Sequence, residues 1–422
     1  MSDSIVKFPS WRDELQLNEK KNPLANFGNT LVVLRNDPDL RGMLEFDSMA
    51  KTAIINYPPG IPFDTGTDGY PHVVTDEDVG YIREYLQRTS GLRHVSRETV
   101  GEAVNLVAQE NSYHPVFDIL EALQWDGLPR LDTWLRDCFG VEDTPYHKVI
   151  GRLFLIALVA RIYKPGCKAD YMLVIEGEQG KMKSLACETI AGEKWFSDSM
   201  PEDITSKDAS VHLRGKWLIE VAEMHAFSKA EATHLKSFIT RKTERYRPPY
   251  GRHEVDEPRQ CLFIGTTNKE MYLKDETGGR RFWPFKAVSI NLARLKSIRD
   301  GLLAEAVAAF KAGEQWWPDP KFEAEIIKPK QEARYDGDAW EEPIGQFLEG
   351  RTTVSIMQIA TGCLGYQDKN AIVATTNATP INRLGTQDQH RIMKILDLLE
   401  WERLEKKTEK GVVYRRKVGT QV

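Results

Sequence analysis

Cysteine is scarce and unpatterned in this chain: Cys138, Cys167, Cys187, Cys261 and Cys363 are odd in number and form no C-x-x-C pair. That spacing argues against a disulfide framework and against a thiolate zinc site, and it fits a reducing compartment. Long apolar runs are missing as well. The best candidate, Phe154 to Ile162, is interrupted by Arg161, and the N-terminus has no signal-peptide apolar region, so no membrane partner is expected and the cytoplasm is the expected location. There is no excess of positive charge either. With 57 Lys and Arg against 62 Asp and Glu, the net charge is −5, so any attraction to polyanions must come from local clusters. The remainder is ordinary: 422 residues, 41% hydrophobic and 28% charged, enough core for roughly two to four domains.

What is present concentrates between Tyr171 and Gly192. An apolar strand, Tyr171-Met172-Leu173-Val174-Ile175, runs into Gly177-Glu178-Gln179-Gly180-Lys181-Met182-Lys183-Ser184 and then a helix-like segment. Strand, glycine-bearing turn and a Lys-Ser pair opening a helix aim backbone N–H groups and the positive end of a helix dipole at phosphate oxygens. Gly177, Gln179, Gly180, Lys183 and Ser184 are the expected nucleotide contacts, with Lys183 on the β- and γ-phosphates and Ser184 on Mg²⁺. The pattern G-x-x-x-x-G-K-[ST] wants glycine where this chain has Met182, whose side chain must therefore point away from a nucleotide. Alone, these eight residues also fit a plain strand-to-helix loop with surface lysines.

Further segments add to the case. Trp217-Leu218-Ile219 delivers Glu220 and then Glu223, carboxylates expected at the end of a strand beside the phosphate-loop strand. Gln260 to Gly265 is a third apolar strand, stopping at Thr266-Thr267-Asn268, where Asn268 is placed to orient a water. Arg280-Arg281 follows a turn and precedes the aromatic strand Phe282-Trp283-Pro284. Guanidinium groups suit the charge that spreads over a transferring phosphoryl group. Singly, each has a bland reading: surface glutamates, a turn asparagine, a solvated arginine pair.

In this order the parts resemble the superfamily 3 helicases of the AAA+ ATPases, and more closely the virulence-associated protein E family of phages and mobile islands. The resemblance rests on Gly177 to Gly180 with Lys183-Ser184, Lys216 to Glu220 with Glu223, Lys236-Ser237-Phe238, Tyr246 to Arg252, Pro258-Arg259, Gly265 to Asn268, and Thr277-Gly278 with Arg280 to Pro284. It spans about Gln124 to Phe285. It implies an α/β fold with a P-loop AAA+ core, ATP and Mg²⁺ as cofactors, a homo-oligomer, expected to be a hexamer, and movement on single-stranded or forked DNA in a bacterial host cell. Residue by residue it implies Lys183 and Ser184 as the Walker A pair, Glu220 and Glu223 as the Walker B acids, Asn268 as sensor 1, and Arg280 or Arg281 as a finger acting on a neighbouring subunit. Which glutamate binds metal is left open, although Ser184 with Glu220 is the expected metal pair.

Between the acidic strand and the Asn268 strand, Lys236, Arg241, Lys242, Arg245, Arg247, Arg252, His253 and Arg259 alternate with Phe238, Tyr246 and Tyr250. Cations for phosphates and tyrosines for stacking suit a sequence-tolerant single-strand channel, with Lys236, Arg245, Arg247 and Arg252 as the chosen contacts. A charged helix followed by a Pro-rich loop packing on the next subunit is the plain alternative.

The flanks carry no catalytic cluster. Residues 1–110 read as mainly helical, with a segment starting near Asn29 and capped helices over Asp76 to Arg88 and Ser96 to Ala108. Residues 111–170 read as a helical collar around a structural turn at Trp125-Asp126-Gly127, with a packed Trp. The ATPase core is expected over 171–334 and a winged-helix-like domain over 340–422. There His390, Arg391 and Lys394 would lie on a recognition helix and Arg415, Arg416 and Lys417 on a basic wing. A complete primase is not expected upstream, so priming would come from a separate partner. Two function classes follow: a DNA-stimulated replicative helicase, or a degenerate P-loop protein that binds DNA for origin assembly or regulation without moving. Met182 favours the second, the otherwise full residue set the first. A small-molecule kinase fits poorly with the basic insertion and the wing.

Overall fold

The computed structural model describes residues 10–60, 68–201, 203–204, 206–224, 229–248, 253–273, 279–335, 338–366, 384–404 and 412–417. Contacts divide the chain into two units, residues 1–334 and 335–422.

Helix starts follow the capping residues. Asn26 caps α1 (Phe27–Asn36), Thr75 caps α2 (Asp76–Arg88) and Ser96 caps α3 (Arg97–Glu110), each side chain accepting a first-turn N–H. Helices predominate here, but the expectation left out a small sheet. β1 (Leu44–Asp47), β2 (Thr52–Ile55), β3 (His72–Val73) and β4 (Ser112–Tyr113) form a sheet of order β3-β2-β1-β4, closed over a core that includes Leu34, Ile55, Ile82, Leu86 and Val104. Such short strands offer too few alternating positions to register as a period-two pattern.

Three helices follow: α4 (Pro115–Ala122), α5 (Trp134–Phe139) and α6 (Pro145–Tyr163). The expected collar is corrected here: Leu155, Leu158 and Ile162 of α6 share one core with Leu173, Ile175, Ile264 and Trp283, so α6 lies in the layer covering the central sheet. The Trp125 turn also differs from expectation. Trp125 is 45% exposed rather than packed, its indole N–H donating to Leu128 O, while Asp126 holds the Arg130 guanidinium.

The central sheet draws on β5 (Met172–Glu176), β6 (Phe196–Ser197) and β7 (Leu218–Val221). β8 (Thr243–Tyr246) and β9 (Val255–Pro258) then form a separate antiparallel hairpin, before β10 (Leu262–Thr267) and β11 (Phe282–Lys286) complete the sheet. Its order is β11-β5-β10-β7-β6 with every pairing parallel, so all strand C-termini reach the same edge. β5, β7 and β10 are buried throughout, which is why they read as unbroken apolar runs. On one face lie α6, α7 (Lys183–Ala191) and α10 (Leu292–Lys311). Across the sheet, residues of α8 (Lys207–His212) and α9 (Lys229–Ile239) pack on Met172, Val174, Ile219 and Phe263. The unit closes with α11 (Pro320–Phe322), a π turn over Glu323–Ile327 and α12 (Lys328–Glu332).

The second unit contains α13 (Glu341–Leu348), β12 (Thr353–Ser355), α14 (Ile356–Cys363), α15 (Thr386–Leu398), β13 (Trp401–Arg403) and β14 (Val413–Arg416), with an antiparallel sheet of order β12-β14-β13. Ile344, Val354, Ile359, Ile392, Leu396, Trp401 and Tyr414 make its core. Lys406 to Gly411, the first part of the basic hairpin wing expected over Lys406 to Lys417, lie outside the described residues.

Candidate nucleotide site

The loop from Gly177 to Met182 leaves the C-terminal end of β5, and α7 begins at Lys183. Gly180 takes φ +81°, a left-handed turn that costs glycine little. Met182 also adopts the left-handed region, φ 57° and ψ 29°, at the position where the pattern calls for glycine. The backbone geometry that glycine would supply is therefore kept, and the Met182 side chain is 49% exposed. This conformation costs an L-residue roughly 1–2 kcal/mol, partly offset by glycine's greater unfolded-state freedom. Met182→Gly is accordingly expected to raise the melting temperature by roughly 1–3 °C without loss of activity. A thermal melt of the variant checks this, and a lower melting temperature would contradict the strain.

Lys183 Nζ donates to the carbonyl oxygens of Gly177 at 2.7 Å and Glu178 at 2.8 Å, so the ammonium lies over the loop. Burial pushes its pKa down, opposed by Glu220 and reinforced by Lys181. Ser184, one residue on, donates from Oγ to Glu220 Oε1 at 2.9 Å. Thr266 of β10 donates to the same oxygen at 2.5 Å. Glu220 is 1% exposed, and its Oε2 is buried with no partner among the described residues. Burial first, and Asp198 less, push its carboxyl up, while the Thr266 and Ser184 hydroxyls and Lys183 pull it down. A buried carboxylate with one oxygen unsatisfied beside a helix-opening serine is a donor set that suits a hard divalent cation. Among the described residues no group of three or more His, Cys, Asp or Glu could hold a metal by itself. Mg²⁺, which keeps several waters, asks for no such group.

Glu223 contrasts with Glu220. It is exposed, on left-handed backbone at φ 50° just past β7. The expected placement of the acidic strand beside the loop strand is corrected by the pairing: β10 lies between β5 and β7. Ordinary strand spacing allows that insertion without separating the chemistry, because parallel strands end together and Glu220 still reaches Ser184. Asn268, exposed immediately after β10, thereby falls between the loop and the acids. Gly177 N–H donates to Thr267 O at 3.1 Å and ties the loop's first residue to that strand end.

The arginine pair is elsewhere. Arg280 and Arg281 close a short turn before β11, whose Phe282 pairs with Met172 and Lys286 with Glu176. They therefore stand at the N-terminal edge of the sheet, about 20 Å from the loop at the opposite edge by strand rise. Arg280 is exposed; Arg281 is half-buried, its Nε without a partner among the described residues.

Sequence reasoning missed the root of the loop. Glu176, the last residue of β5, is 2% exposed and is gripped by Arg334, with Nε to Oε1 at 2.7 Å and Nη2 to Oε2 at 2.9 Å, and by Tyr272 OH at 3.0 Å. A glutamate ending an otherwise apolar buried strand was the available signal; its partner lies 158 residues away.

The basic segment divides into anchors and outward cations. Arg259, 2% exposed, donates to Glu244 at 2.6 Å, and Arg214 grips Glu257 at 2.7 Å, fixing the buried side of the β8–β9 hairpin. Arg245 and Arg247 are exposed, Arg245 with Glu254 at 3.1 Å. Lys236 is not an outward residue: it is 6% exposed with Nζ 5.9 Å above the Phe282 ring, so its expected strand contact gives way to packing. Arg252 lies outside the described residues. In the second unit His390, Arg391 and Lys394 are all exposed on α15, Arg391 also held by Asp338 at 2.6 and 2.7 Å and lying 3.9 Å over the Trp340 ring. Arg415 pairs with Glu402 at 2.7 Å; Arg416 and Lys417 are exposed.

Residues 120–336, slightly more than half of the chain, match the virulence-associated protein E-like domain. The chain belongs to this family. The match takes in β5 to β11, the Gly177–Ser184 loop and Arg334, so each side chain of the site described above lies within the family domain. Among solved structures, the apo structure of the NrS-1 C-terminal region is similar at 14% identity, over 89% of this chain and 96% of that one, with a TM-score of 0.48. The A form apo structure of the same region gives 12%, 88%, 96% and 0.47. No curated protein matches the sequence. No described helix is long and apolar enough to cross a membrane.

Proposed function

We propose that this protein is an ATP-dependent DNA helicase of the superfamily 3 type, a P-loop AAA+ ATPase that serves replication of a phage or mobile element. In this reading it works as a hexamer and hydrolyses ATP at subunit interfaces. The observation that carries it is the junction of Lys183, Ser184, Thr266 and the half-satisfied carboxylate of Glu220 at one edge of a parallel sheet. Ser184 Oγ and Glu220 would hold Mg²⁺, which supplies charge neutralisation on the β- and γ-phosphates. Lys183 is the cation within reach of those phosphates, and the α7 N-terminus adds its N–H groups. Asn268, between loop and acids, is suited to orient the attacking water, with Glu223 as the exposed base.

The distant arginines support a shared site. At the far edge of the sheet they are remote from their own loop, which supports a role on the loop of an adjacent copy. The outward cations of the β8–β9 hairpin, Arg245 and Arg247, and those of the C-terminal unit, Arg415, Arg416 and Lys417, are the proposed DNA contacts, which act on phosphate without reading sequence. The non-translocating alternative draws on Met182; that this residue keeps the left-handed backbone glycine would supply supports the hydrolytic reading instead.

The pair Glu220→Gln and Glu223→Gln tests the site. In Glu220→Gln the amide keeps an acceptor for Ser184 and Thr266 but loses the charge, so ATP turnover is expected to fall on the order of 100-fold or more, with Mg²⁺ affinity falling too. Glu223→Gln should slow turnover while leaving Mg²⁺ affinity intact. Equal Mg²⁺ affinity in both variants would remove Glu220 from the metal.

A further inference from the structure

Glu176 is an odd residue to find where it is. Met172 to Ile175 are apolar and buried, and the strand then ends on a buried carboxylate one position before the phosphate loop. Its three hydrogen bonds come from two places far along the chain, Arg334 and Tyr272. Through the backbone the same residue is welded to the site: Glu176 O accepts from Ala287 N at 2.8 Å, and the next residue, Gly177, donates to Thr267 O and accepts from Lys183 Nζ. A displacement of Glu176 therefore moves the carbonyl that holds the catalytic lysine.

Arg334 has a second attachment. Its own carbonyl accepts the N–H groups of Tyr272 at 3.1 Å and Leu273 at 3.0 Å, four and five residues beyond Asn268. Arg334 is also the last residue of the first unit, and Tyr335 is the first of the second. One residue thus joins the root of the loop, the segment after the Asn268 strand and the connection between units. Bulk stability is a poor reason for such a pair, because a buried ion pair contributes no more than well-packed apolar residues would, whereas removing one partner leaves a buried charge uncompensated. A contact with a small net benefit and a large cost of rupture suits a switch or a register device.

We propose that the Arg334–Glu176 pair is a latch through which the connection to the second unit sets the position of the phosphate loop and hence nucleotide affinity. The proposal rests on the functional reading above and adds regulation to it. Arg334 acts through Glu176 and Gly177 and so is a positioning residue.

The test is steady-state ATP hydrolysis with and without single-stranded DNA, paired with equilibrium binding of a fluorescent ATP analogue. The variants are Arg334→Ala, Arg334→Lys, Tyr272→Phe and a Gly-Ser-Gly-Ser insertion between Asp336 and Gly337. Arg334→Ala is expected to raise KM for ATP and weaken analogue binding about 10-fold or more, with kcat within about threefold. Lysine, a point charge without the bidentate fork, should recover part of this, and Tyr272→Phe should give a smaller shift of the same kind. The insertion leaves the pair intact, so KM without DNA should stay at the wild-type value while the DNA-induced change in KM disappears. An unchanged KM in Arg334→Ala, or a DNA response that survives the insertion, overturns the latch. Should Arg334→Ala fail to fold, the lysine variant and the insertion decide alone. Wild-type protein without ATPase activity would instead overturn the functional reading, and the latch with it.

Discussion

Lys183→Ala is expected to lower ATP turnover by about 1,000-fold or more while the protein stays folded. Lys183 opens α7, where alanine is at least as good a helix former, and its side chain bonds to two loop carbonyls, so the fold has little reason to respond. The reaction has every reason to. Charge developing on the γ-phosphoryl oxygens would lose the ammonium placed over the loop, leaving backbone N–H groups and the helix terminus to bind nucleotide alone. Weaker but measurable ATP binding with turnover near background is the expected combination. A simple strand-to-helix connector with a surface lysine predicts instead that turnover does not change, and a malachite-green phosphate assay separates the two.

The second large effect concerns the far edge of the sheet. Arg280→Ala should bind ATP nearly as wild type and hydrolyse it about 1,000-fold more slowly, because a finger acts on transition-state charge rather than on ground-state binding. Arg280 is chosen over Arg281 because it is exposed, while Arg281 is half-buried. The two defects lie on opposite edges of the sheet, so mixing tests whether the site is shared. Combining inactive Lys183→Ala with inactive Arg280→Ala should restore activity, since a fraction of interfaces then pair an intact loop with an intact arginine. Mixtures as inactive as either parent would place the arginines outside the reaction.

These predictions lean on features that differ in how legible they are in the sequence. Strands β5, β10 and β11 can be read because strands buried on both faces leave unbroken apolar runs, and the Lys183-Ser184 pair because its chemistry is local in sequence. Glu220 stands out as a candidate, yet only its burial and the orphaned Oε2 single it out from Glu223 as the acid proposed to bind metal. Strand order escapes, since nothing in three similar apolar runs says that β10 lies between β5 and β7. The N-terminal sheet escapes because its strands are too short to show a period. Charge alone misassigns Lys236, which is buried with its ammonium over Phe282. Arg334 is missed for a related reason: an ion pair closed between residues 158 apart in sequence leaves no mark at the arginine, and at Glu176 only a glutamate ending an apolar strand.

In the proposed mechanism the loop after β5 holds a nucleoside triphosphate for hydrolysis. The most direct test of this is the ATP turnover of purified wild-type protein in Mg²⁺, with and without single-stranded DNA and with Lys183→Ala as the blank. Mg²⁺-dependent turnover well above the blank and increased by DNA is the predicted result; turnover indistinguishable from the Lys183→Ala protein, with or without DNA, would contradict it.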